Sequence, residues 1–411
     1  MTDDSEPNLQ WIDDGCVTTP MGFSAGGVYT GVKTYGDEPR LDLGVLLADR
    51  DCAVAGVFTR NQVTGPAVSR NRELLASGRS GRAIFVNSGN ANTATGEQGE
   101  RDTETLARWT GARLGIDASE VWIGSTGVIG RLLPMPMLEA GIAALNVTPD
   151  GGHPFARAMM TTDTLSKEVA VRFEVEGRTY HVGGCAKGSG MIHPDMATMF
   201  GFITTDAPAD SAWLQVALRL ISDRTFNMLD IDMDTSTSDT VLVLANGAAG
   251  GDEIGRRHPA AGALAGAIEA VARHLTRELA RDGEGAKTLI EAVVEGAAEL
   301  EDARLAARTI VSSPLVKTMV TGRDPNWGRV MMAIGRSGAR VDQTLVSAWV
   351  GAHCVLERGT PTAVNLSMVS AAMANDEVQL RVDLGLGDAS AVAWGCDLTA
   401  EYVHINTDYT T

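Results

Sequence analysis

The sequence predicts a mixed α/β protein of two lobes, on three observations. The chain has 411 residues, more than one small core can use. Short apolar runs of strand length, such as 83–86 and 121–123, end in glycine-rich turns. Between them lie longer stretches with helical spacing. The clearest is 261–280, where Leu264, Ile268, Val271, Leu275 and Leu279 form one stripe.

Composition narrows the function. Lys+Arg is 34 and Asp+Glu is 52, a net charge of −18, which argues against nucleic acid or an anionic membrane as partner. No apolar run is long enough to span a bilayer. Residues 1–15 read as an acidic arm without the apolar segment of a signal peptide. The five cysteines are an odd count without a CxxC pair; free thiols and a cytoplasmic location are expected.

Taken in order, 17–57 is β-patterned, with strands expected at 41–47 and 53–59. The 83–86 strand runs into Asn87-Ser88-Gly89-Asn90-Ala91-Asn92, a turn-forming alternation. A helix follows over 99–114. The 121–123 strand leads to Gly124-Ser125-Thr126-Gly127. Such a turn can aim N–H groups and a hydroxyl at one point, as an oxyanion hole requires; it can equally be an ordinary turn. Further strands are expected at 168–173, 199–203 and 289–295, with a helix at 212–223. Gly283 suits a helix C-cap. An apolar strand close to the C-terminus suggests a docked tail.

Near the middle stands Lys187-Gly188-Ser189-Gly190-Met191-Ile192-His193-Pro194-Asp195-Met196-Ala197-Thr198-Met199-Phe200. A Gly-Ser-Gly turn is followed by Pro194, which fixes its own φ and holds His193 extended. Thr198 opens an apolar strand. It is a strand former by type. If the Ala197–Thr198 bond is cut, Thr198 also becomes a nucleophile whose own α-amine can act as base.

Other motifs fail. Gly26 to Lys33 has Val32 where a phosphate-binding loop needs lysine. The aspartates of 230–234 lack the glycine and glutamate of a calcium loop. A Mg²⁺-dependent phosphatase using Asp230 and Asp232 is a weak rival. No His/Cys group has metal-ligand spacing, so neither metal nor cofactor is expected. His193 reads as structural.

The 187–200 stretch resembles the signature of the ornithine acetyltransferase (glutamate N-acetyltransferase) family, whose members cut themselves before this threonine. Similar blocks run from Thr18 to Thr411: Ser125 to Gly130, Met160 to Thr164, Asp234 to Thr240, Asp282 to Ala286, Ser312 to Thr318, Asp324 to Arg329 and the C-terminus. Phe200 and Ser166 depart from the usual pattern outside the expected chemistry. The resemblance implies a layered α-β-β-α sandwich similar to N-terminal nucleophile hydrolases, with a smaller C-terminal lobe. It implies cleavage into 1–197 and 198–411, with 16–197 as the α chain behind the acidic arm, 198–310 completing the sandwich and 311–411 forming the lobe. The two fragments would stay together, assembled as a heterotetramer of two α and two β chains.

It also implies roles. Thr198 is the nucleophile, and Thr126 and Gly127 stabilise the oxyanion. Thr161, or alternatively Thr162, touches substrate. Glu284, Asn406 and Thr411 bind substrate, and the 234–240 segment buttresses the cleft without a metal. By charge, Lys187 suits an α-carboxylate and Glu284 an ornithine ammonium. The expected reaction passes acetyl from N-acetylornithine to glutamate through an acetyl-threonine. The rival within this chemistry is an N-terminal nucleophile aminopeptidase or amidase that passes the acyl group to water.

Overall fold

The computed structural model describes residues 9–33, 40–193 and 199–408. Among these residues, nine strands form one sheet system and seven form a second. The long strand Leu43–Phe58 organises the first. Its early half pairs with Phe23–Val28 and Gly81–Asn90, and its later half with Thr240–Ala245. Phe200–Thr205 lies parallel to Thr240–Ala245, and Arg178–Lys187 and Lys167–Val175 follow. The 41–47 and 53–59 runs, read as separate strands, are thus one bent strand.

Alternation sets the layers. Leu242 and Leu244 face the same core as Leu46, Ile84, Val86 and Trp122 from the other half-sheet. Val241 and Val243 face the opposite way, into a core that holds Leu264, Ile268, Val271 and Leu275 of helix Ala261–Arg281. Val45, Phe85 and Ile123 turn outward to Leu106 of helix Gly96–Leu114 and Leu138 of helix Met135–Ala144. Two sheet halves therefore pack face to face between helical layers, the α-β-β-α sandwich.

The second sheet contains Leu229–Asp230, Leu289–Ala297, Ser347–Val350, Glu377–Asp383 and Ala389–Cys396. Leu289–Ala297 is an interior strand, between Glu377–Asp383 and Ala389–Cys396. The second lobe therefore takes in residues well before 311, the boundary expected from sequence. The apolar alternation of 289–295 is satisfied by either sheet, so pattern alone does not assign it.

Gln10–Ile12 of the arm is an edge strand paired with Ala170–Arg172. Two other expectations are corrected. The positive φ after helix Ala261–Arg281 falls at Gly285, at +69°, rather than at Gly283. The tail is the helix Ala400–Asp408, not a strand. Thr399 Oγ1 accepts the Glu401 N–H at 3.2 Å, an N-cap interaction. No described helix is long and apolar enough to cross a membrane.

Candidate active site

Strands Gly81–Asn90 and Val121–Val128 run parallel and place Ser88 beside Thr126 and Gly89 beside Gly127. The register breaks there. Gly127 has φ +124°, and a Cβ on it would lie 2.4 Å from the Gly89 carbonyl carbon. Only glycine fits this position. Amides hold the two strand ends: Ser125 Oγ donates to Asn87 Oδ1 at 2.7 Å, and Asn87 Nδ2 to the Asn90 carbonyl at 2.8 Å. The adjoining segment reaches across the cleft, where Thr93 Oγ1 meets Thr237 Oγ1 at 3.1 Å.

The central motif folds against this edge. Lys187 pairs with Phe200 across antiparallel strands, two residues from Thr198 in sequence. Its side chain is fully buried, with Nζ 3.4 Å from Thr161 Oγ1. Burial lowers its pKa, against the pull of Asp163 and Asp239. Asp163 is the hub beneath it. Its carboxylate accepts from Lys167 Nζ at 2.6 Å, the Gly188 N–H at 2.6 Å and the Thr161 N–H at 2.9 Å. Burial works against its charge, yet Lys167 and Lys187 hold its pKa well below the usual range. Lys167 also donates to Asp282 at 2.6 Å. This tethers the turn that carries Glu284.

Glu284 enters the same space. Its N–H donates to the Ser189 carbonyl at 2.7 Å, and its carboxylate packs on Gly190, where a Cβ would come within 2.5 Å. Asn406, on the tail helix, donates from Nδ2 to Glu284 Oε2 at 2.7 Å. Thr162 Oγ1 and Ser189 Oγ are 2.7 Å apart.

A cavity of about 70 Å³ is lined by Thr126, Gly127, Thr161, Thr162, Lys187, Glu284 and Asn406, with Ser236, Thr237 and Ser238 closing one wall. Six of the sequence-derived positions meet there, and both candidate threonines, 161 and 162, reach it. Ala197, Thr198 and Thr411 lie outside the described residues. Met199, the covalent neighbour of Thr198, donates its N–H to Asp239 Oδ1 at 2.9 Å. Asp239 is fully buried, and burial pushes its pKa well above the usual carboxylate range.

Sequence reasoning gave Asp163 and Asp239 no role of their own and read Ser236 and Ser238 only as part of a segment that buttresses the cleft. Asp163 had a readable signal: it stands four residues before a lysine within a threonine run. Asp239 had none, because its role depends on where Met199 lies. Asp230 and Asp232 do not form a metal pair. Asp230 faces His193 Nδ1 at 2.9 Å and Lys317 Nζ at 3.3 Å. Asp232 accepts the Met191 and Ile192 N–H groups at 2.6 and 2.9 Å. The phosphatase rival fails on these engagements.

Asp232 also accepts from Tyr402 Oη of the tail helix at 3.4 Å. Burial raises its pKa to about 6 from 3.8. The fold therefore favours the protonated acid, and stability from this group is lost as pH rises from about 4 to about 6. Thermal unfolding at about pH 3.5 and about pH 7.5 is the check, since these values bracket that window. Asp232→Asn, which cannot ionise, is expected to gain on wild type as pH rises. A pH-independent difference between the two would refute the assignment.

The ArgJ family model matches residues 24–411. The chain is 46% identical over 404 residues to the arginine biosynthesis bifunctional protein ArgJ of Dehalococcoides mccartyi, covering 98% of this chain and 99% of the relative. It is 48% identical to the protein of the same name from Deinococcus radiodurans, covering 96% and 98%. A solved structure of the Bacillus halodurans ArgJ protein matches at 41% identity and TM-score 0.50, covering 51% of this chain and 98% of that one. With a family match over nearly its whole length, the chain belongs to the ArgJ family.

Proposed function

We propose that this protein transfers acetyl from N2-acetyl-L-ornithine to L-glutamate in arginine biosynthesis. The observation that carries the reading is the convergence of an oxyanion-type strand end, a buried lysine and a carboxylate on one small cavity beside Met199. The reaction begins with autoproteolysis. The Thr198 hydroxyl attacks the Ala197 carbonyl, the peptide becomes an ester, and water hydrolyses it. This frees the Thr198 α-amine and leaves fragments 1–197 and 198–411. The Bacillus halodurans chain, nearly all of which matches only half of this one, supports division near the middle.

In catalysis the Thr198 α-amine takes the hydroxyl proton as oxygen attacks the acetyl carbon. A free α-amine has a pKa of roughly 7.7–8.0, so a useful share is neutral near pH 7–8. The tetrahedral oxyanion is held by Thr126 and Gly127. Collapse expels ornithine, whose amine takes the proton, and leaves acetyl-Thr198. Glutamate then attacks the ester in the reverse sense, a ping-pong cycle. Lys187 holds the α-carboxylate common to both substrates, with Thr161 beside it, and Thr411 closes the site. No cofactor enters this scheme. The cleaved fragments assemble as a heterotetramer in the cytoplasm.

The test measures acetyl transfer and acetylornithine hydrolysis together, with and without glutamate. Transfer dominating when glutamate is present supports the reading; release of acetate unaffected by glutamate would favour the amidase instead. Glu284→Gln keeps an acceptor for Asn406 but removes the charge. It is expected to raise KM for acetylornithine about ten-fold more than KM for glutamate, the size of one charge-assisted contact. Equal changes in both constants would remove Glu284 from ornithine recognition.

A further inference from the structure

We propose that a second cleft, away from the catalytic cavity, binds a small polyanion. It encloses about 660 Å³, a size suited to a small organic molecule. It opens where the two half-sheets part. Strand Gly81–Asn90 follows the long strand only as far as the Cys52–Gly81 pair. Beyond that point helix Ser211–Ser222 lies along the strand, and Gln215 bonds both the N–H and the carbonyl of Gly56 at 2.9 Å. Helix Pro66–Ala76 contributes residues to the other wall.

The lining is basic in an acidic chain. Arg60, Arg72, Arg79 and Arg219 line the cleft, against Asp223 as its one acidic lining residue. Asp223 is itself engaged by Asn227 Nδ2 at 2.9 Å. Arg79 donates to Ser119 Oγ at 3.1 Å, whereas the Arg219 side chain has no hydrogen bond or ion pair among the described residues. Ser222 is 1% exposed, lines the cleft, and its hydroxyl has no partner among the described residues. A group of guanidinium forks with an unsatisfied buried hydroxyl fits phosphate or carboxylate oxygens. Phosphate esters and polycarboxylates share that chemistry.

The cleft connects to the catalytic cavity through one residue. Arg72 donates to the Thr59 carbonyl. Thr59 in turn gives its N–H to the Asp239 carbonyl at 3.1 Å and its hydroxyl to the Ser236 carbonyl at 2.6 Å. Ser236 lines the catalytic cavity and Asp239 holds Met199. An anion that draws Arg72 from Thr59 therefore alters the cavity wall at Ser236 and the Asp239 contact to Met199. The binding claim stands apart from the acetyl-transfer reading; only the effect on rate rests on it.

The experiment is calorimetric titration of the purified, cleaved protein with inorganic pyrophosphate and, separately, with citrate. Lys187→Met serves as a control for anions entering the catalytic cavity, and Arg79→Ala/Arg219→Ala removes two lining charges that hold no core contact. Saturable binding is expected in wild type and in Lys187→Met, with Kd at least about ten-fold weaker in the arginine double variant. Pyrophosphate binding alone assigns a phosphate ligand, and citrate binding alone a polycarboxylate. The acetyl-transfer rate should respond to the bound anion in wild type but not in the double variant. No saturable binding below ~10 mM, equal affinity in the double variant, or loss of binding in Lys187→Met would overturn the site. Binding without any change of rate would overturn its connection to catalysis.

Discussion

Thr198→Ala is expected to leave the chain uncut and to abolish acetyl transfer. Both outcomes have one cause. The hydroxyl that attacks Ala197 during maturation is the one that later takes the acetyl group, and the α-amine that serves as base exists only after the cut. Alanine removes the first group and thereby prevents the second from appearing. Loss of a covalent nucleophile costs on the order of 10⁴-fold or more in rate. The fold should survive, because the neighbouring Met199 N–H still meets Asp239 and strand Phe200–Thr205 is held by partners on both sides. Thr198→Ser separates the two roles of the residue. It keeps a hydroxyl and an amine, so cleavage and transfer should both persist, at reduced rate. Measurable transfer by an uncut alanine variant would exclude the proposed chemistry.

Thr126→Val is expected to lower kcat by about 10²–10³-fold with KM little changed, the usual result of removing one oxyanion donor. Valine matches threonine in shape, and Thr126 is buried on a strand whose register with Gly81–Asn90 the backbone sets. The lost hydroxyl is therefore the main change. Self-cleavage passes through a tetrahedral intermediate too, so maturation should slow in the same variant. Steady-state kinetics on fully cleaved protein separate the effects. A rise in KM at constant kcat would make Thr126 a substrate contact rather than an oxyanion donor.

Much of the site was legible because its chemistry is concentrated in contiguous segments. The Lys187 to Phe200 stretch carries a lysine, a turn and a strand entry that geometry keeps adjacent, and Ser125 to Gly130 carries a strand end. The cavity lining joins these to Glu284 and Asn406. Helix Ala261–Arg281 was legible from its stripe, since all five stripe residues are buried. The tail was misread because Leu398, Tyr402, Val403 and Ile405 satisfy both periods over so short a run; the Thr399 cap decides for helix. The lobe boundary was hidden because the sheet that receives Leu289–Ala297 is built from strands far away in sequence. Asp163 and Asp239 were hidden for a related reason. A buried carboxylate takes its role from the lysines and N–H groups the fold brings to it, and those partners are not its sequence neighbours.

The central claim is that acetyl is carried on Thr198 as an ester at a newly made N-terminus. Denaturing intact-mass spectrometry of the purified protein, mixed with N-acetylornithine and no acceptor, tests it most directly. The expected spectrum shows two fragments meeting at Ala197 and Thr198, with the second heavier by one acetyl group and returned to its original mass when glutamate is added. An uncut chain, or a cut fragment that stays unacetylated while transfer proceeds, would contradict the claim.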